Sequence, residues 1–154
     1  MTEPTHDTIE ACLERIRQAW NAGDARAYAG EFTEDAAYVI FLGEPLLGRE
    51  EIEGNHVAVL TKWQKGTKMA IKAISTRLLG ADAASVLTVG GIGKSDTIVF
   101  DKVQTFTLVR RDGWWMCAAF QNTRMSRRAK RMYNRGDGAG FFGALRGWIG
   151  RRGQ

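Results

Sequence analysis

Apolar residues recur at three- and four-residue spacing through Ile9, Cys12, Leu13, Ile16, Ala19 and Trp20. That period predicts a helix of about 14 residues with one buried face. Asp7 or Thr8 can cap its start, Glu10 suits its first turn, and Asn21-Ala22-Gly23 offers a left-handed stop. Asp24 then caps a short second helix carrying Ala25, Tyr28, Ala29 and Phe32, broken by Thr33-Glu34-Asp35. Ala37 to Leu42 is rich in strand formers and ends at Gly43-Glu44-Pro45, so it predicts a strand and a turn. Gly48 precedes a third helix, Arg49 to about Lys65, with Ile52, Val57, Leu60 and Trp63 apolar, His56 among them, and Gly66 closing it.

Four strands follow: Met69 to Leu79, Ala84 to Ile92, Thr97 to Arg110 and Trp114 to Thr123. Between them stand turns at Gly80-Ala81-Asp82, Gly93-Lys94-Ser95-Asp96 and Arg111-Asp112-Gly113. Helices first and adjacent long strands after predict an α+β class, with helices on one face of a curved, mostly antiparallel sheet. The last strand is apolar on both faces, which places it centrally. Strict alternation puts Trp115, Cys117, Ala119 and Gln121 on one face. It puts Met116, Ala118, Phe120 and Asn122 on the other. Asn122 then either meets water at the strand end or projects into a pocket.

A chain of 154 residues suits one domain with a real core. Composition is that of an ordinary globular protein, 44% hydrophobic and 25% charged. No apolar run is long enough to span a membrane. The polar, acidic start Met1 to Asp7 does not read as a signal peptide. Cys12 and Cys117 lie far apart, one in a helix and one in a strand, as buried free thiols of a cytoplasmic protein would.

The net charge of +5 is unevenly placed. Residues 1–123 hold 13 Lys/Arg and 16 Asp/Glu, a net −3; residues 124–154 hold nine and one, a net +8. That asymmetry marks residues 126–154 as an interaction tail behind a domain of residues 1–125. Cofactor motifs fail. Gly90-Gly91-Ile92-Gly93 sits at a hairpin rather than between strand and helix, so it is no dinucleotide fingerprint. There is no Walker sequence and no nucleophile elbow. Two histidines and two distant cysteines give no metal-ligand spacing. Glu50, Glu51 and Glu53 read as the solvated start of the third helix, and Asp35 as a junction cap.

Certain stretches carry a resemblance. They are Trp20-Asn21-Ala22-Gly23-Asp24, Phe32-Thr33-Glu34-Asp35-Ala36 and Gly48-Arg49-Glu50-Glu51-Ile52, taken in that order. Together they resemble the NTF2-like (SnoaL-like) superfamily over about residues 7–125. Asp112-Gly113-Trp114-Trp115 and Ala119-Phe120-Gln121-Asn122-Thr123-Arg124 are similar, more narrowly, to its SgcJ/EcaC group. The resemblance implies a cone in which three N-terminal helices wrap a curved sheet around a cavity. It also implies a homodimer through the outer sheet face, involving Trp115, Cys117, Ala119 and Gln121.

The superfamily includes ketosteroid isomerase. Alignment by the resembling stretches puts that enzyme's oxyanion-hole tyrosine at Ile16, its general base at Ile40 and its protonated aspartate at Gln104. All three are replaced, so that chemistry is not implied. The same alignment places His56, Gln104 and Asn122 at the cavity as candidate catalytic residues. His56 could move a proton, while Gln104 and Asn122 could orient or polarise a carbonyl. The implied lining is Trp20, Phe32, Tyr38, Ile40, Leu60, Trp63, Leu87, Val89, Phe106, Met116 and Phe120, an apolar and aromatic pocket. A satisfied, partly buried histidine stands as the structural alternative for His56.

What the group implies is a role in natural-product assembly, of polyketide or enediyne type. No flavin, nicotinamide or metal motif accompanies the oxidoreductase label attached to it. The expectation is a cofactor-independent protein that binds a hydrophobic intermediate and assists cyclisation, isomerisation or release. The alternative is a non-catalytic ligand-binding accessory subunit of a polyketide synthase system. In the tail, Met125 to Tyr133 favours a short helix, Gly136 to Gly140 a flexible link, and Phe141, Phe142, Leu145, Trp148 and Ile149 are large apolar groups. It either stays solvated or docks, on its own dimer or on an acidic partner such as an acyl-carrier domain. Nucleic acid and membrane rank below these because the body is net negative.

Overall fold

The computed structural model describes residues 7–135. The chain divides into two compact units, residues 1–124 and 125–154. In the first, α1 (Ile9–Ala22) starts on Thr8, whose Oγ1 accepts from the Ala11 N–H at 3.1 Å. It stops at Gly23, where φ is 69° and the amide donates to the carbonyls of Ala19 and Trp20. A side chain at that φ is disfavoured, which is why Gly ends the helix. Asp24 caps α2 (Ala25–Gly30) by accepting from the Ala27 N–H at 2.9 Å.

Next come β1 (Phe32–Val39), β2 (Pro45–Leu47) and α3 (Arg49–Ala58). A π-helical turn, Val59–Trp63, extends α3 and closes with Gln64 N–H donating to the Val59 carbonyl at 2.7 Å. Then follow β3 (Lys68–Leu78), β4 (Ala83–Gly93), β5 (Lys102–Arg111) and β6 (Trp114–Arg124). Four boundaries differ from expectation. Phe32 opens a strand instead of closing a helix, because its segment pairs with Cys117 of β6 through a register irregularity that spans Thr33 to Ala36. Ile40 to Leu42 lie in the turn after β1, Pro45 to Leu47 form an added edge strand, and Thr97 to Asp101 precede β5.

The six strands form one curved sheet in the order β2-β1-β6-β5-β4-β3. The β1–β6 pair is parallel and every other pair antiparallel. Helices α1, α2 and α3 cover one face, and the core lies between. Its helix side is Cys12, Ile16, Trp20, Tyr28 and Ile52; its sheet side includes Phe32, Val86, Phe106, Leu108 and Phe120. Each such side chain removed from water contributes about 1.5–3 kcal/mol before entropy is subtracted. The architecture is an α+β cone.

A β-bulge corrects the face assignment of β6. Phe106 pairs with Phe120 and Thr107 with Ala119, but Leu108 pairs with Cys117, leaving Ala118 without an opposite residue. The extra residue flips parity. Trp115 and Cys117, expected on the outer face, therefore join the core alongside Phe120. Met116 moves to the outer face, opposite Val109. Leu87 and Val89 are also corrected. Val86 and Thr88 lie over Phe106 and Gln104 on the helix-covered face, so Leu87 and Val89 face away. Trp63 is 70% exposed rather than a buried wall.

In the second unit, α4 (Arg127–Asn134) is capped by Ser126, which accepts from the Ala129 N–H at 3.2 Å. The glycine link and the apolar cluster from Phe141 to Ile149 lie outside the described residues.

Candidate functional site

The concave face of the sheet holds two successive rows. The first is aromatic: Tyr38, Phe120 and Phe106 follow the strand register, with ring centroids 4.6 Å and 4.7 Å apart. His56 descends on it from α3, with Trp20 and Tyr28 packed against its ring at 6.0 Å and 4.5 Å. His56 is 3% exposed. Its Nδ1 lies 2.8 Å from the Ile52 carbonyl, a pure acceptor, so Nδ1 carries the proton. Nε2 therefore accepts from the Tyr38 hydroxyl at 3.3 Å, and Tyr38 in turn accepts from Tyr28 at 3.0 Å.

The chain Tyr28 to Tyr38 to His56 to Ile52 thus has one direction. Burial pushes the imidazole below its ordinary pKa, partly offset by the bond to Ile52. Burial likewise pushes both tyrosine hydroxyls well up. A neutral imidazole with both nitrogens engaged takes a proton only if Tyr38 turns away. Tyr28 escapes a purely periodic reading, which counts it as one more apolar helix position. The signal available is its hydroxyl, which cannot be buried without a partner.

The second row is polar and runs Asn122, Gln104, Thr88 across β6, β5 and β4. Thr88 Oγ1 donates to Gln104 Oε1 at 2.9 Å. Gln104 is 6% exposed, and its Nε2 has no partner among the described residues. Asn122 Oδ1 is buried without any hydrogen bond. A Cβ on Gly90 would stand 2.5 Å from Gln104 Oε1, so this glycine makes room for the amide. On the other face a Cβ on Gly91 would collide with the Val99 carbonyl. The double glycine thus serves close approach on both faces of β4. Ile40, two residues beyond Tyr38, is half-buried and packs on the core.

Of the expected lining, Trp20, Phe32, Tyr38, Leu60, Phe106 and Phe120 belong to one contiguous core cluster. The inner part of the cone is therefore filled by side chains. A half-open recess of about 390 Å³ lies between the end of α1 and the π-turn, with Trp20, Asn21, Leu60, Gln64, Lys65 and Thr67 on its walls. Trp20 Nε1 donates to Thr67 Oγ1 at 3.1 Å, and Thr67 to the Gln64 carbonyl at 2.8 Å, tying the turn to α1. Among the described residues no three His, Cys, Asp or Glu side chains cluster as metal ligands. No described helix is long and apolar enough to cross a membrane.

Three helices on the concave face of a curved six-stranded sheet, with the first strand parallel to the last, define the NTF2-like, or cystatin-like, cone. Solved structures share it. A protein of unknown function with a cystatin-like fold from Nostoc punctiforme matches with a TM-score of 0.70 and 22% identity, over 93% of both chains. An NTF-2-like protein of unknown function from Shewanella oneidensis matches with 0.65 and 18%, over 75% of this chain and 95% of that one. A candidate scytalone dehydratase from Novosphingobium aromaticivorans matches with 0.64 and 15%, over 77% of this chain and 82% of that one. No protein-family model and no curated protein matches the sequence.

Proposed function

We propose that this chain is a cofactor-independent small-molecule protein of natural-product biosynthesis, of polyketide or enediyne type, akin to the SgcJ/EcaC group. It binds a hydrophobic intermediate at the Asn122 end of its concave face, beyond the packed aromatic core, and assists cyclisation, isomerisation or release. The observation that carries this reading is the row Thr88–Gln104–Asn122: two amides with unused hydrogen-bonding capacity beside an aromatic wall. Small-molecule sites take this form, apolar walls with a few convergent polar groups. Gln104 and Asn122 polarise or orient a carbonyl, and His56 holds Tyr38 in place.

The engagement of both His56 nitrogens favours a second reading, a non-catalytic accessory subunit whose pocket shields a reactive ligand. Gln104→Leu separates the two, abolishing turnover under the first and altering only affinity under the second. Homodimerisation through the outer sheet face, contact with an acyl-carrier or synthase partner through the basic tail, and a cytoplasmic location complete the proposal. Its test is native mass spectrometry of the protein purified from its producer. A retained apolar ligand, lost in a folded Asn122→Leu variant, is the expected result. Bare protein throughout, or retention unaffected by Asn122→Leu, overturns it.

A further inference from the structure

Beyond the polar row, the same face of β5 and β6 carries Lys102 opposite Arg124. Like charges directly opposite across two strands destabilise a sheet. Lys102 is relieved by Asp101, its Nζ 2.7 Å from Oδ1. Arg124 has no carboxylate partner among the described residues; its guanidinium rests 5.1 Å from the Phe41 ring centroid. Lys102 Nζ lies 5.1 Å from the same ring. Asp101 cancels one of the two positive charges, so among the described residues this corner carries one uncompensated cation.

One strand step inward lie the amides. Thr88 fixes Gln104 with Oε1 occupied, which leaves Nε2–H as a donor. Asn122 Oδ1 beside it is an acceptor with nothing to accept. Together they complement a secondary amide, whose C=O takes the Gln104 hydrogen and whose N–H goes to Asn122. Asn122 Oδ1 is buried and unpaired, so a ligand that pairs it gains from doing so. Two residues along a strand are about 6.8 Å apart.

We infer that this corner reads a phosphopantetheine-type arm, with the phosphate at Arg124 and Lys102 and the adjacent amide at Gln104 and Asn122. In such an arm five single bonds separate phosphorus from the nearest amide carbonyl carbon, roughly 6 Å when extended. That span matches the step between the rows. A single uncompensated cation suits the single charge of a phosphodiester, as on a carrier protein, better than the higher charge of a free phosphomonoester. The inference rests on the concave-face binding reading above and names how the hydrophobic intermediate is delivered: tethered through its arm.

Calorimetry with pantetheine, 4′-phosphopantetheine, and an acyl-carrier domain in apo and holo forms tests it. Phosphopantetheine is expected to bind about tenfold or more tightly than pantetheine. Arg124→Gln should erase that ratio, while Asn122→Leu should weaken both probes and keep the ratio. Holo carrier should bind more tightly than apo carrier. A ratio near one in the wild type, or one that survives Arg124→Gln, overturns the arm assignment. Equal binding of apo and holo carrier overturns the tethered source. Either failure alongside a retained apolar ligand in the mass spectrum leaves the concave-face reading standing, so the two fail separately.

Discussion

His56 is the residue whose environment makes the sharpest demand. Its folded pKa is below the ordinary 6.5, so below that pH the unfolded chain takes up a proton that the native core refuses. Stability is then full above about pH 6.5 and declines as pH falls toward the lowered value. Urea unfolding between pH 5 and 8 is expected to show that decline in the wild type and a flatter profile in His56→Phe, whatever that variant's absolute stability. The thiols make the opposite kind of demand. Burial pushes Cys12 up to about 12 and Cys117 well above its ordinary value. Both are fully buried. Reactivity needs the thiolate, so iodoacetamide should modify neither at pH 8 until the chain unfolds. Mass spectrometry after timed alkylation reads this directly.

At the scale of the element, the bulge at Ala118 decides which side chains of β6 are core. Trp115→Ala should cost about 3–5 kcal/mol, whereas Met116→Ala, on the outer face, should cost under about 1 kcal/mol. Deleting Ala118 should cost less than Trp115→Ala, because it removes the residue without an opposite and leaves Trp115, Cys117 and Phe120 facing the core in plain alternation. Chemical denaturation of the three variants checks the order. Element types were legible from sequence because helix and strand periods differ and because Thr8, Gly23 and Asp24 have specific capping chemistry. Parity was not. Trp114 to Phe120 is apolar on both faces, so no polar residue marks where alternation slips. Leu87 and Val89 were misplaced for the same reason, since β4 carries Val86 inward and Leu87 outward with no contrast in hydrophobicity. The π-turn is equally silent, for one inserted residue in a helix leaves the apolar spacing nearly intact. His56, Gln104 and Asn122 were findable by type; the Thr88 hydroxyl that orients Gln104 requires knowing which strands are neighbours.

For the whole molecule the outer sheet face is the surface through which two chains would pair. Leu87, Thr105, Thr107 and Met116 lie on it, in place of Trp115 and Cys117. If two chains pair through this face, Leu87→Glu should give monomers that keep their fold, since Leu87 is outside the core and 38% exposed. Sedimentation velocity of wild type and variant decides it; a monomeric wild type ends the proposal. Deleting residues 136–154 is expected to weaken binding to a carrier domain without changing the far-ultraviolet spectrum of the body. Unchanged carrier binding would make the tail passive.

The order of strands also sets a timetable. β6 is the last of the described strands to be synthesised, yet it lies between β1 and β5. Until it arrives, the β1–β2 pair is cut off from the other strands, Phe32 lacks Cys117, and the helices have only half a floor. The β3-β4-β5 meander can form from local contacts, but closing the sheet requires joining positions from opposite ends of the chain, which is slow. A nascent chain halted before Trp114 therefore holds an uncovered strand edge on each fragment of its sheet. The same geometry makes the body sensitive to premature stop codons in its final strand and exposes it to chaperones for most of its synthesis.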